Sequence, residues 1–126
     1  MNQIFENIVD SCIKQDKYKF FTTAVKRKDA PNYYEIIKQP IDLTQIKNKA
    51  KRIEYFTRDA MLEDFGLLVQ NATVYNGPTH DITNIARQIY NHAVEKLNEL
   101  QDDVDNLQML VQEKIEKGFL RATPTL

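Results

Sequence analysis

The carboxamide of Asn76 is the side chain with the most chemical content. It lies in the run Asn71-Ala72-Thr73-Val74-Tyr75-Asn76-Gly77-Pro78, where an apolar helical pattern meets a Gly-Pro stop. At about 100° per residue, Phe65, Ala72 and Asn76 fall within about 20° of one direction. Met61, Leu68 and Val69 lie near the same face. A polar amide therefore shares a face with core residues, at the last turn of its helix. Burying an amide without a partner costs roughly 1–3 kcal/mol. Either the fold satisfies Asn76 internally, as a C-terminal helix cap would, or the amide is held for a ligand that can both donate and accept hydrogen bonds.

Other chemistries are poorly served. The single serine, Ser11, has no glycine elbow around it, which argues against serine-nucleophile catalysis. His80 and His92 form no HExxH arrangement and have no cysteine nearby, so no metal site is expected. His92 is expected on a polar helix face. The three glycines stand apart, which rules out a glycine-rich phosphate loop. The acidic residues fall mostly at helix N-termini or on polar faces. No acid–base pair assembles, so no enzyme is expected and no cofactor is implied.

Composition narrows the class. A chain of 126 residues is expected to form one domain, and 42% apolar residues supply a core. The net charge of −1, with both signs mixed, argues against binding to DNA or a membrane surface through bulk charge. No apolar run has the length of a membrane span, and no signal peptide is evident. Cys12, the sole cysteine, excludes an internal disulfide and reads as a core residue of a reduced intracellular protein.

The elements that must position Asn76 are helices. Glycine and proline are absent from Met1 to Ala30, Ile41 to Phe65 and Thr79 to Lys117. Such segments, with few alternating runs, predict an all-α protein. A first helix over Asn2–Asp16 presents Ile4, Phe5, Ile8, Val9, Cys12 and Ile13 as one stripe. Lys17–Asn32 reads as a long loop carrying Phe20, Phe21 and Val25, too apolar for a linker. Tyr33–Lys38 is one short helical turn before Pro40. Asp42 caps the next helix, to Lys51, with Gln45 placed to complete a capping box. Thr57 caps Arg58–Asn76, with Asp59 favouring the dipole. The last helix runs from Asp81 to about Lys117. Its second half, residues 97–117, keeps a near 3,4 apolar spacing, read either as an extension packed on a domain or as a short coiled coil for helix-mediated association. Residues 121–126 read as a disordered tail.

Two of these stretches together resemble one family. Pro31-Asn32-Tyr33-Tyr34-Glu35-Ile36-Ile37-Lys38-Gln39-Pro40-Ile41-Asp42-Leu43, with Ile46 following, is similar to the "PDYY.II..PMDL..I" signature of bromodomains. Asn71–Asn76 resembles the family's segment ending in the Tyr-Asn pair that binds acetyl-lysine. The resemblance spans roughly residues 2–100, and helix order agrees. Within the family the fit is to the bromodomains of the largest subunit of the general transcription factor TFIID. It rests on the Gly77-Pro78 pair, the short Val25–Tyr33 stretch and the long last helix.

The resemblance implies a left-handed four-helix bundle over residues 1–100, with a long first interhelical loop. Residues 101–118 would extend the last helix, and 119–126 would be a disordered tail. It implies that Asn76 donates to the acetyl carbonyl of acetyl-lysine and that Tyr33 holds a bridging water. Val25 and Ala30 would line the loop side, Ala72 and Tyr75 the helix side, Phe21 the floor, and Ile82 would be the gatekeeper. Tyr34 is expected in the core, and Ile82 could equally be core. The implied partner is an acetylated histone tail or another acetylated nuclear protein, and the implied compartment is the nucleus. The alternative is a degenerate bromodomain-like scaffold that associates through its long last helix without binding acetyl-lysine. The chain departs from the family where a Trp-Pro-Phe shelf is common: it has Lys19-Phe20-Phe21 and then Ala24. Ala30 and Lys28 stand where bulkier apolar residues often line the channel, so a wide, wet pocket is expected.

Overall fold

The structure, a computed structural model, describes residues 2–116, with side chains for residues 3–101 and 112. Its elements are α1 (Asn2–Gln15), α2 (Tyr33–Ile36), α3 (Leu43–Lys51), α4 (Arg58–Asn76) and α5 (Asp81–Glu116). The described residues contain no strand. The chain forms two compact units, Met1–Glu95 and Lys96–Leu126. The expected coiled-coil side chains Val104, Leu107 and Val111, together with Lys117 and the tail 119–126, lie outside the described residues.

In the first unit α1 packs on α3, and α3 on α4. The helical stripes meet as their spacing requires. Phe5, Val9 and Cys12 of α1, Leu43 and Ile46 of α3, Met61, Phe65 and Leu68 of α4, and Ala86 and Ile89 of α5 are all buried. Each large apolar side chain removed from water contributes about 1.5–3 kcal/mol before entropy is counted. Ile4, expected in the α1 stripe, is instead 41% exposed, in the first turn of the helix. His92 also departs from expectation. It is half-buried, and its Nε2 lies 2.5 Å from Ser11 Oγ, so it joins α1 to α5 rather than facing water.

Helix ends follow the capping residues. Thr57 accepts from the Ala60 amide at 3.1 Å to start α4. Asp42 accepts from the Gln45 amide at 2.8 Å to start α3. Burial pushes the Asp42 carboxyl up from its ordinary value, against the amides of Gln45 and Thr44, which act the other way. The first two amides of α3 are also taken: Leu43 N–H donates to Phe21 O at 2.7 Å, and Thr44 N–H to Thr22 O at 3.1 Å. The orphan donors of a helix N-terminus thus pin the first interhelical loop.

The end of α3 is less expected. Ile53 N–H donates to Ala50 O and Glu54 N–H to Lys49 O, the paired bonds of a Schellman motif. The motif puts Ile53 at φ 59°, a left-handed conformation that suits glycine and not a β-branched residue. At the end of α4, Gly77 occupies φ 103° and its N–H donates to Thr73 O. Gly77 therefore ends the helix where the Gly-Pro pair predicts.

Candidate functional site

The site is assembled from three pieces of chain, and the first loop is the one that needs holding. Asp16 begins that hold. The sequence pattern extends α1 through this residue, but the helix stops at Gln15, and the Asp16 side chain is fully buried. Its carboxylate accepts from Phe20 N–H at 3.0 Å, Phe21 N–H at 2.8 Å and Thr22 Oγ1 at 2.7 Å. Thr44 Oγ1 then donates to Thr22 O at 2.6 Å. Further along, Tyr34 Oη donates to Val25 O at 2.5 Å. Tyr34 thus works by its hydroxyl as well as by its ring. The Asn71 carboxamide, buried on α4, donates to Gln39 O at 2.9 Å.

Inside this frame lies a cavity of about 560 Å³. Phe21, Val25, Ala30 and Tyr33 line it from the first loop and α2, Ala72, Tyr75 and Asn76 from the end of α4, and Ile82 from α5. All eight side chains singled out in the sequence are brought to one space. Lys28, expected in the channel, does not line the cavity and is exposed. The position is set by the turn in which Ala30 N–H and Asp29 N–H both donate to Lys26 O, which carries Lys28 outward.

Polar groups around the cavity divide into those spent on the fold and those left over. Tyr75 Oη donates to Asn32 Oδ1 at 2.9 Å, tying α4 to the loop before α2. Thr83 Oγ1, fully buried, is shared between Ala72 O at 3.1 Å and Gly77 O at 2.7 Å and satisfies carbonyls left at the end of α4. The Asn76 carboxamide has no hydrogen-bond partner among the described residues. It is half-buried, and the capping role open to it from sequence is filled by Gly77. Two asparagines five positions apart on one helix therefore differ: Asn71 is consumed by the fold and Asn76 is not.

Tyr33 is 9% exposed, with its ring edge-on to Tyr34 at 5.3 Å and Tyr75 at 5.0 Å. Burial, then the neighbouring Tyr34 and Tyr75 hydroxyls, push its phenol up, so it remains a neutral donor and acceptor at physiological pH. Ala30, Tyr33 and Ile37 form a small apolar cluster with Val25, Tyr34 and Tyr75 packed on it. The arrangement sets apolar side chains around one uncommitted amide and the neutral Tyr33 phenol, with Lys19, Lys26 and Asp29 also on the wall. The described residues contain no group of three or more His, Cys, Asp or Glu placed to hold a metal ion.

Asp16, Asn32, Asn71 and Thr83 escaped the sequence reading. Only Asp16 carried a signal: an acidic side chain at a helix C-terminus opposes the dipole and asks for another employment.

Comparison with known proteins gives a consistent picture. The family profile for the bromodomain matches residues 5–88. Transcription initiation factor TFIID subunit 1 of Arabidopsis thaliana is 32% identical over 103 residues, 80% of this chain and 5% of that protein. Subunit 1b of the same plant is 32% identical over 126 residues, 98% of this chain and 7% of the relative. The chain thus spans less than a tenth of the length of these curated relatives. Among solved structures, the bromodomain of human BAZ1A superposes with a TM-score of 0.72 at 25% identity, covering 80% of this chain and 94% of that one. A bromodomain from Trypanosoma brucei gives 0.68 at 24% identity, covering 79% and 97%. Both share with this chain the left-handed helical-bundle fold.

Proposed function

Because this chain belongs to the bromodomain family, we propose that it is a binding module for acetyl-lysine, serving a nuclear transcription or chromatin protein of which it is one part. Asn76 donates its side-chain N–H to the acetyl carbonyl, and the Tyr33 hydroxyl holds a water that bridges to the same oxygen. Phe21, Val25, Ala30, Ala72, Tyr75 and Ile82 pack on the methyl and the aliphatic stem. The observation that carries the reading is the Asn76 carboxamide, without a partner among the described residues and lining a cavity beside Phe21, Val25, Ala30, Ala72 and Ile82.

The chemistry discriminates by what acetylation removes. Acetyl-lysine is neutral and offers an amide, a methyl and a four-carbon stem. The hydrogen bond to Asn76 contributes only about 0.5–1.5 kcal/mol net. An unmodified ammonium in the same slot loses its water and meets a donor, which costs several kcal/mol. Recognition is therefore selective but weak, at about −8 kcal/mol or less favourable. The partner class that fits is an acetylated histone tail or another acetylated nuclear protein, and the TFIID subunit 1 relatives support the transcription setting.

An acetylated histone peptide array with unmodified controls tests the reading, followed by titration of the best peptide against Asn76→Ala. Acetyl-dependent binding that falls at least roughly tenfold in the variant, with the melting temperature little changed, is the expected result. A scaffold that no longer binds acetyl-lysine would show no acetyl-dependent binding in either form.

A further inference from the structure

The mouth of the cavity carries charge that the acetyl group cannot use. The first loop, residues 17–32, contains Lys17, Lys19, Lys26, Arg27 and Lys28 against Asp29, five basic residues to one acidic. The whole chain has 17 basic and 18 acidic residues, so the rest of it holds 12 and 17. The cationic excess is therefore local. All six of these loop residues are exposed, and Lys19, Lys26 and Asp29 line the cavity itself. None of the five cations pairs with a carboxylate among the described residues. Lys17 sits 5.5 Å from the Tyr18 ring and Arg27 5.5 Å from the Tyr34 ring, contacts that orient a cation without neutralising it. Opposing charge near the loop is limited. Asp16 is buried with three donors on its carboxylate, and Asp29 is the one acidic side chain among those lining the cavity.

We propose that the peptide segment flanking the acyl-lysine at this site is acidic, rich in Asp and Glu, rather than the lysine- and arginine-rich flank of a histone tail. This rests on the acetyl-lysine reading and names the substrate class for the same site. A segment that delivers a lysine into the cavity must cross the rim formed by Lys19, Lys26 and their neighbours. Carboxylates two to four residues from the acyl-lysine come within a Debye length of these cations, about 8–10 Å at moderate salt. Basic flanks meet like charge there, which lowers both encounter rate and affinity. A nucleic-acid partner is less well matched. Only Lys19 and Lys26 of the five cations line the cavity, and the remainder of the chain is net acidic.

The test uses three acetyl-lysine peptides of equal length with acidic, neutral and basic flanks, titrated at about 0.03 M and about 0.3 M salt. A short DNA duplex and an unacetylated acidic peptide run in parallel. The expected order is acidic, neutral, basic, with roughly a tenfold span at low salt that narrows at high salt. In a Lys19→Glu, Lys26→Glu double variant, which makes all three charged lining positions acidic, the order inverts. Acetyl-dependent binding that ignores the flanks, or favours basic ones, overturns the acidic-segment proposal and leaves acetyl-lysine recognition standing. Tighter binding of the duplex than of the acidic acetylated peptide also overturns it and reassigns the rim to nucleic acid. Silence toward all three acetylated peptides overturns both readings.

Discussion

Asp16 shows how one side chain can decide the shape of a site it does not line. Three donors converge on its fully buried carboxylate, two of them the backbone amides of Phe20 and Phe21, which line the cavity. Asp16→Ala leaves those amides without a partner, and we expect a loss of about 3 kcal/mol in chemical denaturation, accompanied by weaker peptide binding. Asp16→Asn keeps part of the acceptor capacity and should fall between. Cys12 behaves in the opposite way, as a residue with chemistry that the fold suppresses. Burial pushes its thiol up to about 12 and leaves it fully covered. Alkylation of the native protein should run at least roughly a hundredfold slower than that of a free thiol, and added denaturant should restore the rate. Rapid labelling of the native form would mean that α1 opens locally. Asn76 stood out because a polar group at a core position is a local anomaly, whereas Tyr33 was singled out only through the resemblance to the family signature. The hold exerted by Asp16 was not, because its partners are backbone amides, which no sequence pattern distinguishes.

At the scale of elements, the helices were legible almost to their ends. Capping side chains at Asp42 and Thr57 and the stop at Gly77-Pro78 act within one turn, so their effect can be read locally. The exception is instructive. Nothing in the sequence marks Ile53 as a left-handed residue, because the pair of bonds that closes α3 imposes the conformation on whatever side chain stands there. Ile53 is 57% exposed and so recovers little by burial. Ile53→Gly should therefore stabilise the domain by about 0.5–1 kcal/mol, the relief of strain exceeding the added freedom of the unfolded chain. A rise in melting temperature of about 2–5 °C checks this; a fall would show that the isoleucine side chain contributes contacts that outweigh its backbone.

For the molecule as a whole, the size of the cavity sets which side chains it can admit. An apolar cavity of about 150 Å³ already holds a benzene ring, and this one is about 560 Å³. The small side chains Ala24, Ala30 and Ala72 on its wall account for part of the difference. A butyryl-lysine peptide should bind within about threefold of its acetyl counterpart, read by parallel titration. A loss beyond roughly tenfold would show that the space is closed to longer chains in solution. The expectation of a wide pocket rested on small or polar residues such as Ala30 and Lys28, and the outward turn at Lys28, which depends on loop backbone, was not foreseen. The first loop has a further bearing on energetics. It is fastened at Phe21 and Thr22 to the start of α3, at Val25 to Tyr34, and at Asn32 to Tyr75. Most of its conformational freedom is thus surrendered when the chain folds and not when a guest arrives. A calorimetric titration should accordingly register little ordering entropy, and hydrogen exchange at the Phe20, Phe21, Leu43 and Thr44 amides should change only slightly on saturation.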